Sequence, residues 1–220
     1  MILTNFSVLR QQAQQHGPKR VAVVMADDEV ALSALAQAAA LQIATPVLIG
    51  EEARIREKLA HVAESSSLRH AVFVPAPDAR AAAQTAVALC RNGEADMLLK
   101  GHLRTDELLH AVLDKQSGLR TGRLLSDVLL YEDTLSGVRR LVGITDGGIN
   151  VLPTLEQKRQ IIQNAVLVMH ALGLARPHIA LMSATEAVTE AVPSTIEAQM
   201  LSNLAAKGEL GECEVFGPLA

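Results

Sequence analysis

Short aliphatic runs and longer stretches of helical periodicity alternate through the first half of the chain. The run Arg20-Val-Ala-Val-Val-Met-Ala26 is followed by an Ala-rich stretch to about Gln42, which reads as a strand and then a helix. The pair recurs as Pro46-Val-Leu-Ile-Gly50 with a helix over 51–62, Ala71-Val-Phe-Val-Pro75 with one over 78–92, and Asp96-Met-Leu-Leu-Lys100 with one over 105–115. Four strand–helix units in succession predict a parallel sheet. The strand runs are continuously apolar, as strands covered on both faces are.

After Gly118 the rhythm changes. Residues 124–131 and 138–145 are strand-like runs separated only by Glu132-Asp-Thr-Leu-Ser-Gly137, which predicts an antiparallel hairpin. Pro153 and the capping-box sequence Thr154-Leu-Glu-Gln157 open a helix that runs to about Leu172. A strand over 178–182, a helix over 193–207, a strand over 213–216 and a Gly-Pro turn at Gly217-Pro218 complete the pattern. The change of rhythm divides the chain into an N-terminal α/β domain, residues 1–123, and a second α/β domain, residues 124–220.

Composition narrows the partners. With 20 Lys and Arg against 24 Asp and Glu, the net charge is -4, and no overall positive field is available for nucleic acid. Aromatic residues make up only 2%, which leaves almost no platform for stacking bases. No long uninterrupted apolar span and no basic, apolar leader are visible, which predicts a cytoplasmic protein with no membrane partner. Cys90 and Cys213 lie far apart and form no CxxC pair, so both read as small core residues. The seven histidines show no zinc-enzyme spacing, so no metal is expected.

Three segments carry candidate chemistry. Lys100, Gly101, His102, Arg104 and Thr105 fall where a predicted parallel strand ends and a helix begins, the edge at which α/β sheets bind ligands. Gly101 permits close backbone approach, and free N–H groups at a helix start favour an anion such as phosphate. Without a ligand the same residues serve as loop and capping groups. Gly118-Leu-Arg-Thr-Gly-Arg123 sets Arg120, Thr121 and Arg123 between glycines at the domain junction, where a guanidinium fork suits phosphate and a solvated linker is the plain alternative. Thr145-Asp-Gly-Gly-Ile-Asn150 ends a strand, and its Asp-Gly pair is equally ordinary turn chemistry. Asp27 and Asp28 follow the first strand, and as helix-initiating carboxylates they need no other role. No GxSxG, GxxxxGK[ST] or GxGxxG occurs.

In combination these segments resemble the phosphate acetyl/butyryl transferase family, over nearly the whole chain from Met25-Ala-Asp-Asp28 to Gly217-Pro-Leu219. The most telling pieces are Asp96 to Gly101, Thr105-Asp-Glu-Leu-Leu-His-Ala-Val112, Gly118-Leu-Arg-Thr-Gly122, Asn150 with Pro153-Thr154, Gln163-Asn-Ala165 and Leu181-Met-Ser183. The second and third look more like the butyryl-type branch. The resemblance implies two α/β/α domains with mainly parallel sheets, related to the isocitrate/isopropylmalate dehydrogenase fold, with a site in the cleft between them and a homodimer. It implies an acyltransferase that exchanges an acetyl or butyryl group between coenzyme A, a cosubstrate, and inorganic phosphate to give acyl phosphate, without metal or other cofactor. The residues it assigns to phosphate or substrate are Lys100, Gly101, Thr105, Arg120, Thr121, Asp146, Asn150 and Ser183.

Family members also carry a Ser-Arg and a nearby Asp close to their C-terminus, with no counterpart in these residues. The expectation is therefore a partial phosphate site and little turnover from residues 1–220 alone. A non-catalytic relative that binds CoA or a phosphorylated metabolite is the competing reading. A metal-dependent dehydrogenase of the related fold would need clustered aspartates after the Thr154 helix, and none are seen.

Overall fold

The computed structural model describes residues 2–135 and 137–220; Ser136, within the expected hairpin turn, lies outside them. In chain order the elements begin α1 (Phe6–Gln15), β1 (Lys19–Val24), α2 (Glu29–Ala40), β2 (Ala44–Gly50), α3 (Glu52–Leu59), β3 (Val72–Pro75), α4 (Ala79–Arg91), β4 (Met97–Lys100) and α5 (Thr105–Val112). They continue with β5 (Leu129–Asp133), β6 (Arg140–Ile144), α6 (Leu155–Ala171), β7 (His178–Met182), α7 (Pro193–Ala206) and β8 (Glu214–Leu219). The pattern of the sequence locates every one of these except α1, whose apolar residues Phe6, Val8 and Leu9 are bunched at its start and only partly buried.

The chain divides into two compact units, residues 10–122 and residues 123–220 joined by 1–9. The sequence reading placed the first nine residues with the N-terminal domain. They pack instead with the second unit: Leu3 N–H donates to Leu172 O at 2.9 Å, Phe6 N–H donates to Glu132 Oε1 at 2.7 Å, and Leu3 is buried with Leu141 and Leu172.

In the unit of residues 10–122 the four strands pair in parallel in the order β3-β2-β1-β4. Alternation along the strands splits the apolar side chains between two faces. Val21, Val23 and Leu48 meet Leu32, Leu35 and Ala36 of α2 and Ile55 of α3. Ala22, Val24, Val47 and Ile49 meet Ala82, Ala83 and Ala86 of α4. Asp28 Oδ1 caps α2 by accepting Ala31 N–H at 2.9 Å, and Asp78 Oδ1 caps α4 by accepting Ala81 N–H at 2.8 Å.

The second unit is built from two ribbons, antiparallel β5-β6 and parallel β7-β8. The capping box of α6 forms as read: Thr154 Oγ1 accepts Gln157 N–H at 3.3 Å and Gln157 Oε1 accepts Thr154 N–H at 2.8 Å. Ile162, Val166 and Leu201 of α6 and α7 pack with Ile179, Leu181 and Val215 of the ribbon β7-β8. The turn expected at Gly217-Pro218 is absent. β8 runs through it to Leu219, which pairs with Met182 after a register shift, and the absent side chain of Gly217 lets it lie against Leu181, whose Cβ would be 2.7 Å from a Cβ there. Among the described residues no helix is long and apolar enough to cross a membrane.

Candidate functional site

In the unit of residues 10–122, β1 connects to β2 on one side and β4 lies on the other, so the strand order reverses between β1 and β4. Ligands of open α/β sheets bind beyond the carboxyl ends of the strands at such a point. The two loops that leave these strands are in backbone contact: Gly101 N–H donates to Val24 O at 2.9 Å and His102 N–H to Met25 O at 2.8 Å. A Cβ on Gly101 would sit 2.1 Å from Met25 O, so the close approach that the sequence reserved for a ligand is made to the neighbouring loop.

Lys100 points back into its own loop, where Nζ donates to Gly101 O at 3.3 Å and Leu103 O at 3.0 Å. Thr105 opens α5 and is exposed. The donors at that helix start are partly taken, since Arg104 N–H donates to Glu107 Oε2 at 3.0 Å and the Arg104 guanidinium pairs with Asp106 at 3.0 Å. That pairing lowers the Asp106 pKa, the hydrogen bond from Arg104 being the largest cause. Arg120 and Thr121 lie on an irregular, exposed segment, and Arg120 makes no ion pair among the described residues. Its preceding glycine, Gly118, is hemmed in, because a Cβ there would meet Asp114 O and Val112 O at 2.5 Å.

The remaining candidates belong to the second unit. Asp146, after β6, organises its own loop: Oδ1 accepts Gly148 N–H at 3.0 Å and Ile149 N–H at 2.8 Å, and Oδ2 accepts Asn150 Nδ2 at 2.5 Å. Burial pushes the Asp146 carboxyl up, but the hydrogen bonds from Asn150, Gly148 and Ile149 outweigh it and leave the pKa lowered. Asn150 Nδ2 also donates to Leu125 O at 2.9 Å, and Asp127 Oδ1 accepts Gly147 N–H at 2.7 Å. Ser183, after β7, shares a 2.6 Å hydrogen bond with Ser194 at the start of α7.

Asp146, Asn150 and Ser194 line one groove of about 990 Å³ within this unit, along with the ion pair of Lys158 and Glu197. Its walls are apolar, among them Ile161, Ala165 and Leu201. Sequence reading missed Asp127, Lys158, Ser194 and Glu197 because each lies far along the chain from its partner. Lys158 and Glu197 are on different helices. Among the described residues no group of His, Cys, Asp or Glu is placed to hold a metal ion. Burial is the largest cause raising the thiol pKa of both Cys90 and Cys213, which makes neither a ready nucleophile.

The family model described as phosphate acetyl/butaryl transferase matches residues 76–220, which include β4, the arginine segment and the Asp146 loop. The chain belongs to this family. A phosphate acetyltransferase of Rhizobium meliloti is 40% identical over 208 residues, covering 94% of this chain and 65% of that protein. A phosphate butyryltransferase of Clostridium acetobutylicum is 34% identical over 219 residues, covering 100% of this chain and 71% of that protein. Membership extends to the fold. A branched-chain phosphotransacylase from Enterococcus faecalis superposes with a TM-score of 0.68 at 26% identity, over 92% of this chain and 68% of that one. A EutD phosphotransacetylase from Staphylococcus aureus, at 15% identity and a TM-score of 0.66, shares the fold over 97% of this chain and 73% of its own. The chain thus spans about two thirds of the length of these family members.

Proposed function

We propose that the protein transfers an acetyl or butyryl group between coenzyme A and inorganic phosphate, giving acyl phosphate and free CoA. The observation that carries this reading is the 40% identity to a phosphate acetyltransferase over 94% of the chain. In the reaction a phosphate oxygen attacks the thioester carbonyl, the C–O bond forms, the C–S bond breaks, and the proton of hydrogen phosphate ends on the departing thiolate. The chemistry needs donors for the phosphate and a polariser for the oxyanion, and no redox partner. The two α/β units, 1–123 and 124–220 in the reading from sequence, are those of an isocitrate/isopropylmalate dehydrogenase-like fold, and the working protein is a cytoplasmic homodimer.

Arg120 is the phosphate ligand of this proposal, and Gly101, Thr105 and Thr121 are its further phosphate residues. The reason is availability: Arg104 is paired with Asp106 and Lys100 with two carbonyls, whereas the Arg120 fork has no partner among the described residues. Lys100 then supports the loop. Asp146, Asn150 and Ser183 are the substrate-binding residues proposed within the second unit. Arg120→Ala should weaken phosphate use about tenfold to a hundredfold, the worth of one charge-assisted pair, and Arg120→Lys should restore only part of it. Steady-state kinetics with phosphate varied at saturating acyl-CoA test this. Unchanged phosphate KM and kcat in Arg120→Ala, with a large loss in Arg123→Ala, would transfer the role to the second arginine.

A further inference from the structure

Asp27 is the acidic residue left over once helix capping is accounted for. Asp28 caps α2, whereas Asp27, one residue earlier in the same β1–α2 loop, caps nothing. Its side chain is only 9% exposed, and Oδ1 is buried with no hydrogen-bond partner among the described residues. The other oxygen, Oδ2, lies 3.8 Å from the Nδ1 of His102, which is too long for a hydrogen bond. His102 itself is 76% exposed and stands on the β4–α5 loop. A carboxylate is thus held at the β1/β4 reversal of strand order, with Oδ1 buried and Oδ2, facing His102, the oxygen left for a donor. An ionised carboxylate only accepts hydrogen bonds, and leaving one buried without a donor is costly. The backbone contact between Gly101 and Met25 fixes the two loops so that Asp27 and His102 stay together.

We infer that Asp27 is a specificity-determining residue: its carboxylate accepts the P–O–H of hydrogen phosphate, while the exposed imidazole of His102 donates an N–H to another phosphate oxygen. This rests on the proposal that phosphate is a substrate. Hydrogen phosphate keeps one O–H near neutral pH and sulfate keeps none. A site that bonds a substrate hydroxyl discriminates against an analogue without it, because its own polar group is then left unpaired. Toward sulfate the Asp27 carboxylate is repulsive as well as unpaired. The same donors bound to an anion therefore yield selection by protonation state, which Lys100 or Arg120 alone cannot give, since a cation holds either anion.

The test compares equilibrium binding of phosphate, arsenate and sulfate at pH 7, read from the backbone amide signals of Gly101, His102 and Leu103. Phosphate and arsenate, which both carry O–H, should bind at least about tenfold more tightly than sulfate. In Asp27→Asn, whose amide donates, the phosphate-to-sulfate ratio should fall toward one. In His102→Ala, an exposed change that spares the fold, both anions should weaken with the ratio kept. Equal binding of sulfate and phosphate to the unaltered protein overturns the inference whatever the variants do, as does an unchanged ratio in a folded Asp27→Asn. Absence of any phosphate binding would instead overturn the phosphate-substrate reading on which it rests.

Discussion

The two units use similar strand sequences to different depths. In the unit of residues 10–122 helices lie on both faces of one four-stranded sheet, and Val23, Val24, Leu48 and Ile49 are 0% exposed. In the unit of residues 123–220 the run His178-Ile-Ala-Leu-Met182 is just as strand-like, yet Ile179 and Leu181 face the helices while Met182 is 68% exposed. Leu129, Ile144 and Phe216 share that exposure. An apolar strand sequence therefore states what a strand tolerates, and the layers stacked on it decide what it buries. The functional residues divide in the same way. The first unit holds Lys100, Gly101 and His102 on a loop locked backbone to backbone to the one after β1, and the second holds Asp146 and Asn150 on a loop wound around one carboxylate.

The sharpest way to break this comparison is to truncate matched side chains. Leu48→Ala in the first unit should cost about 2–5 kcal/mol, and Met182→Ala in the second should change stability by no more than about 0.5 kcal/mol. Urea unfolding followed by far-UV circular dichroism checks both, with the fluorescence of Tyr131, the single tyrosine, reporting on the second unit. Comparable losses would mean that the exposed ribbon face is covered in solution.

The locked loops are tested next. Gly101→Ala drives a Cβ into the Met25 carbonyl, with backbone on both sides of the clash, and should cost about 1–3 kcal/mol. Gly148→Ala, where nothing lies within 4 Å, should be tolerated far better. If Gly101→Ala proves neutral, the two loops are not held as described.

A smaller effect is expected in the wound loop. Asn150→Ala removes the donor to Asp146 Oδ2 and should destabilise the second unit by about 0.5–1.5 kcal/mol. Because the folded Asp146 pKa is lowered, its contribution is present above the unfolded carboxylate pKa and is lost as pH falls through the folded one. The variant should therefore show a shallower acid limb in a stability profile.

The smallest effect belongs to the amino-terminal edge of the first sheet. There Asp96 is brought down from 3.8 to about 2, chiefly by the side-chain hydrogen bond from Arg20. Both groups are solvent-accessible, so the pair adds little. What it adds should fade as pH drops from about 4 to about 2, and Arg20→Gln, which keeps the backbone N–H bond to Asp96, should reduce that dependence, as acid titration monitored by amide signals will show.

Most of the fold was legible in the sequence because its information is local. Apolar runs marked β1 to β4, and Thr154 with Gln157 marked the start of α6. What escaped depends on pairing across distance. The attachment of residues 1–9 to the second unit rests on contacts with Glu132 and Leu172, and the strand through Gly217-Pro218 rests on its partner Met182. The site followed the same rule. Sequence placed Lys100, Gly101 and Arg120 in the right segments, but only the structure shows that Lys100 is turned onto its own loop and that Asp27, not Asp28, lacks a helix to cap.

The central claim, acyl transfer between coenzyme A and phosphate, is tested most directly by the release of CoA thiol from acetyl-CoA and butyryl-CoA with phosphate varied. The assay should use both these 220 residues and the same residues continued to the length of the Rhizobium meliloti relative with that protein's own sequence. The account predicts release that rises and saturates with phosphate and leaves acyl phosphate as product, at least in the continued form. No release in either form, or thiol release independent of phosphate, would contradict it.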